Sequence, residues 1–167
     1  MSTAVKRHPI LYSVAQRLAA TAEYQRLLDE VQRGTRVISI SGLITPSAKG
    51  LVLATLQCQT GRLFAVVTQA NRDLEQVERD LRFWYCALSG KSDCEDDVLL
   101  LPASESDPYA GSSPHAETLE QRALTLWRLV HHPQDFVLLT ARALARKTVA
   151  PSAIARAGVE KSRRESG

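Results

Sequence analysis

Four short apolar runs, Arg36–Ser41, Leu63–Thr68, Asp97–Pro102 and Phe136–Thr140, alternate with stretches of helical periodicity, and this alternation limits the fold more than any other feature. Each run is nearly continuous rather than alternating, the pattern of a strand covered on both faces. The stretches between them repeat apolar residues at three- and four-residue spacing. Leu51, Val52, Thr55 and Leu56 form one stripe, and Leu74, Val77, Leu81, Trp84, Tyr85 and Leu88 a second. Leu119, Ala123, Leu126, Trp127 and Val130 form a third, and a leading helical stretch runs from about Ile10 to Gln32. Strands joined by helices of this length imply right-handed crossovers and a parallel sheet. The expected fold is therefore α/β, with a mainly parallel sheet of about four strands and flanking helices in three layers. Its expected organisation is an N-terminal helical segment over 1–34, an α/β domain over 35–149, and a basic tail, or the start of a following domain, over 150–167.

The 167 residues are 44% apolar and 23% charged, which excludes a wholly disordered chain. No run approaches the ~18 apolar residues of a membrane span, and no apolar core follows Lys6-Arg7, so neither a membrane role nor a secretory signal is expected. A cytoplasmic protein follows. The net charge of +3 is unevenly spread. From Arg142 onward seven Arg and Lys face two Glu, whereas Ser92–Glu120 holds eight carboxylates and no Lys or Arg. A basic tail reads first as a solvated end; the other reading is a small DNA-binding protein that uses it.

Cys58, Cys86 and Cys94 show no C-x-x-C spacing and lack matching histidines, so reduced thiols are expected and no metal site. His131-His132 before Pro133 reads as the cationic end of a helix. Asn71 or Thr68 is the expected cap of the second helix, and Ser113-Pro114 opens the third. The long connection after the third run sits at a strand's carboxyl end, the side where open α/β sheets place ligands.

One segment has the layout of a phosphate-binding loop: a strand, then Gly42 to Gly50 with Lys49, then a helix. Registered on Lys49, the loop lacks its chemistry. Leu43 stands at the first glycine position, Ala48 at the glycine before the lysine, and Gly50 where a magnesium-holding Ser or Thr belongs. Pro46 removes one backbone N–H from the cradle. Asp97 and Asp135 lie at the wrong ends of their strands to hold magnesium. Gly42, Ser47, Ala48 and Lys49 are thus read as a vestigial loop; the competing reading is an enzyme or ATP-binding switch of the P-loop class. Neither Ser112, Ser113 and His115 nor Glu105 and Asp107 make a convincing catalytic set, and no catalytic residue is expected.

Several segments then converge in one order. Gly42-Leu43 leads to Ser47-Ala48-Lys49, followed by Val66-Val67-Thr68 and by Asn71-Arg72 with Asp80-Leu81-Arg82-Phe83-Trp84. Next come Leu101-Pro102, Pro108-Tyr109 and Ser113-Pro114-His115, and a helix ending in Thr125-Leu126-Trp127-Arg128-Leu129 closes the set. Over roughly residues 10–150 this resembles the N-terminal domain of the bacterial transcription-repair coupling factor family (Mfd), a region similar to the excision-repair helicase subunit UvrB. Pro108, Tyr109, Ser113, Pro114 and His115 are its most specific block. The sequence departs from the family at Ser104, where a Trp is common, and Tyr109 to His115 leaves no room for UvrB's DNA-clamping hairpin. The resemblance implies a helicase-like, P-loop-NTPase-like domain without activity or cofactor of its own. It further implies a part of a longer chain whose motor uses ATP and DNA, with UvrA recruited mainly through a following domain and RNA polymerase met elsewhere in the parent.

Overall fold

The computed structural model describes residues 8–103, 116–132, 134–145, 150–152 and 154. Along the chain run α1 (Pro9–Ala19), α2 (Ala22–Arg33), α3 (Pro46–Thr60), β1 (Phe64–Thr68), α4 (Asn71–Ser89), β2 (Val98–Leu101), α5 (Ala116–His131), β3 (Phe136–Thr140) and α6 (Ala141–Ala145). The chain divides into two compact units, Met1–Phe64 with Glu75–Asp96, and Ala65–Leu74 with Asp97–Gly167.

The first unit is helical. The expected leading helical stretch is built as two helices, because Thr21 turns the backbone extended (ψ 144°) and caps the second. The Thr21 hydroxyl donates to Leu18 O at 2.7 Å and accepts from Tyr24 N at 3.3 Å. Gly34 ends α2 in the left-handed region at φ 75°, where a side chain would be strained. Arg62 donates to Val31 O and Gln32 O at 2.6 and 3.3 Å, placing a cation on the carbonyl end of that helix. Tyr24, Val52 and Leu56 form a buried cluster joined by Leu18, Leu27 and Leu43.

Gly50 faces the backbone of α4. A Cβ added there would lie 3.0 Å from both C and O of Asp80 and 3.2 Å from Leu81 N. The helices approach so closely that only hydrogen fits, and Ala54, one turn on, is fully buried. The expected stripe of α4 is inside: Leu74, Leu81, Tyr85 and Leu88 are all buried. Trp84 belongs to the packing as well, its indole donating to Ser47 Oγ at 3.0 Å.

The three reduced thiols expected from spacing are not what the fold contains. Cys86 and Cys94 are joined as a disulfide with Cα atoms 6.0 Å apart, and Cys58 is the cysteine outside it. Gly90, at φ 76°, ends α4 and lets the chain double back, a return that an eight-residue spacing does not announce.

The second unit holds the sheet, in the order β1-β3-β2. β2 and β3 pair in parallel with Val98 opposite Phe136 and Leu101 opposite Leu139. Both are buried along their whole length, as continuous apolar strands should be. The Phe136 N–H donates to Asp97 O at 2.9 Å, starting the ladder. α5 lays Leu126 and Leu129 on Leu101, Val137 and Leu139, and the buried Thr125 hydroxyl donates to Leu100 O at 2.6 Å.

Among the described residues the sheet has three strands, where about four were expected. Arg36–Ser41 runs without regular structure, and Val37 and Ile44 nearby are 77% and 85% exposed. Valine and isoleucine favour a strand only where a neighbour completes its ladder and covers its side chains. β1 also departs from the expectation of two covered faces: its residues alternate between half-buried and exposed, the pattern of an edge strand.

Candidate functional site

The candidate site begins at the amino end of α3, where the segment Gly42–Gly50 lies. Gly42 adopts φ 88° in an exposed turn. Thr45 caps the helix, its Oγ1 accepting from Ala48 N at 3.2 Å, and its carbonyl accepts from Lys49 N at 3.2 Å. Pro46 at the first helical position brings no N–H. A phosphate cradle needs several backbone N–H groups aimed at one point, and here the cap and the first helical bond have taken two of them. Ser47 Oγ is engaged by the Trp84 indole. Lys49 is exposed on the first turn. The structure thus brings Ser47, Ala48 and Lys49 onto one helical turn, where the N–H groups of Ala48 and Lys49 both bond to Thr45.

Gly50 shows what sequence registration missed. It occupies the position of a metal-holding hydroxyl, yet its role is close packing on Asp80 and Leu81. A helix-interior glycine costs about 1 kcal/mol against alanine, so its presence signals a contact rather than a loop.

Beside the loop, α2, residues 38–43 and Val52 enclose a groove of about 540 Å³. Leu18, Leu27, Ile38 and Val52 form its apolar floor, and Glu23, Arg26 and Glu30 its rim. The rim charges are already matched: Arg26 pairs with Glu23 at 3.3 Å, and Glu30 with Arg33 at 3.0 Å. Tyr24, also lining the groove, donates its hydroxyl to Gln59 Oε1 at 2.9 Å. Burial first, and Cys58 second, push that phenol well above its ordinary pKa.

At the carboxyl edge of the sheet, two side chains hold the backbone that follows β2. Asn71 Nδ2 donates to Ala103 O at 3.0 Å, and its Oδ1 accepts from Ala103 N at 2.9 Å. Arg122 Nη1 donates to Pro102 O. The expected cap of α4 is therefore corrected: Leu74 N bonds to Ala70 O, and Thr68 Oγ1 donates to that same carbonyl. Asn71 spends its amide on Ala103, a partner 32 positions away that helix periodicity cannot reveal. Pro108, Tyr109, Ser113, Pro114 and His115 lie outside the described residues, as do Glu105, Asp107 and Ser112. Asp97 and Asp135 stand at the amino ends of β2 and β3. Among the described residues, no three His, Cys, Asp or Glu side chains gather into a metal-binding group. None of the described helices is long and apolar enough to cross a membrane.

Among the described residues, the Glu78 carboxylate is perturbed. Burial raises the Glu78 pKa, and Glu75 and Glu95 add to the rise while Arg82 and Arg79 oppose it. Glu78 still pairs with Arg82 at 2.9 Å. A carboxyl whose pKa is raised by folding favours the native state at low pH, and that contribution is lost as pH rises from the ordinary glutamate range through the raised value. Glu78→Gln mimics the protonated form. Its urea midpoint should match wild type near pH 4 and stand slightly above it at pH 7. A lower midpoint at pH 7 would mean that the Arg82 pair outweighs burial.

No protein-family model, curated protein or solved structure matches the chain.

Proposed function

We propose that this chain is a non-catalytic, helicase-like interaction module corresponding to the UvrB-like N-terminal domain of bacterial transcription-repair coupling factor. The observation that carries this reading is the state of the α3 amino end: Thr45 and Pro46 close the turn that a P-loop would open to phosphate. The parallel pairing of β2 with β3 is compatible with a domain of that ancestry, and the ordered motifs from Gly42 to Leu129 give it its name.

In this reading the module acts in transcription-coupled nucleotide excision repair. It favours UvrA recruitment, with a following domain providing most of the contact, and it restrains the DNA translocase of the same polypeptide. ATP hydrolysis, DNA tracking and RNA-polymerase binding belong to the parent protein. The setting in this reading is cytoplasmic.

Two measurements test it. Titration with a fluorescent ATP analogue in magnesium should give no saturable binding, with wild type and Lys49→Ala indistinguishable. Saturation in the low micromolar range, abolished by Lys49→Ala, would instead make this an ATP-binding domain. The genomic reading frame should continue past Gly167 into a helicase motor; a stop codon there would remove the repair assignment.

A further inference from the structure

We propose that the outer stripe of α5 is a self-association surface, on which a second copy of this chain docks its own α5 antiparallel across a two-fold axis. The inner face of the helix is committed to the sheet through Thr125, Leu126 and Leu129. Glu120, Leu124, Trp127 and His131 follow a 4-3-4 spacing and share another stripe, the seam geometry of paired helices. All four are exposed, Leu124 by 47% and Trp127 by 37%. Leu119 and Val130, also exposed, flank them.

Charge selects the occupant. The stripe begins at an acidic end, Glu120, and finishes at a basic one, with Arg128 and His131 in the last turn. A copy laid parallel would bring like ends together. A copy laid antiparallel about the midpoint between Thr125 and Leu126 sets Glu120 against the second copy's His131, and Leu124 against its Trp127. The same operator repeats both contacts, as a two-fold interface requires. It also opposes the helix dipoles favourably. Trp127 is already oriented for this: the His131 ring stacks on it at 4.7 Å and 23°, with His132 edge-on at 5.5 Å. An indole held in this way loses little freedom when it is buried at an interface.

A single helix pair is small beside a standard interface, so the dimer should be weak and appear only at high concentration. Sedimentation velocity on the full chain, from about 5 to about 300 μM, should show a reversible monomer–dimer shift, a range that brackets the affinity expected of so small a contact. Leu124→Asp should leave monomer throughout. Glu120→Lys should weaken association at least about tenfold, about 1.4 kcal/mol, and adding His131→Glu should restore it. These positions are on the surface, so unchanged melting by circular dichroism will show that each variant folds. Monomer at every concentration, a dimer indifferent to Leu124→Asp, or a charge swap that fails to restore association would each overturn the proposal.

Discussion

Phe136→Ala should cost about 3–5 kcal/mol of unfolding free energy, the range for truncating a buried aromatic. Phe136 is fully buried and begins β3, the middle strand of the sheet. It stands opposite Val98, and its N–H closes the bond to Asp97 O. Backbone pairing survives the substitution, so the loss measures the side chain: its transfer from water and the cavity left by a rigid sheet. Small domains hold only about 5–15 kcal/mol in total, so the variant should be close to unfolding at 37 °C. Urea denaturation followed by far-UV circular dichroism reads it. A loss below about 1 kcal/mol would mean that the sheet collapses onto the gap, contrary to a well-packed core.

Gly50→Val is expected to be comparably severe, and Gly50→Ala decides between two opposed effects. Helix propensity alone favours alanine over glycine by about 1 kcal/mol. Against it, the new Cβ meets the Asp80 backbone at 3.0 Å, and backbone cannot swing aside as a side chain tip can. Overpacking of this kind costs about 1–3 kcal/mol for a small group, so alanine should come out destabilised despite its propensity, and valine more so. Thermal melts of the two variants beside wild type check the order. A Gly50→Ala protein more stable than wild type would show that α3 and α4 have room between them, and would return Gly50 to the role of an ordinary loop remnant.

Registration against a phosphate-binding pattern identified the residues that were wrong for the chemistry, Ala48 and Gly50 among them. It did not show why a glycine should persist there, because the reason is the Asp80 backbone 30 positions on. The same holds for Asn71. Read locally it is a helix cap; in the fold it braces Ala103. Both residues act across long sequence separations, and local periodicity carries no information about such partners.

What the sequence by itself determined is the character of elements whose apolar pattern is self-sufficient. The buried strands β2 and β3, and the stripe of α4 through Leu74, Leu81, Tyr85 and Leu88, are legible because each pattern states how many faces must leave water. The tertiary structure alone decided which apolar runs become strands. Arg36–Ser41 has strand-forming residues yet takes no regular structure, whereas β1 gains a strand's place at the sheet edge with only one face covered. It also decided that Cys86 meets Cys94 and that Gly50 meets Asp80. Side-chain burial is encoded along the chain, but a hydrogen-bonded neighbour, a sulfur partner or a clash exists only after distant segments have met.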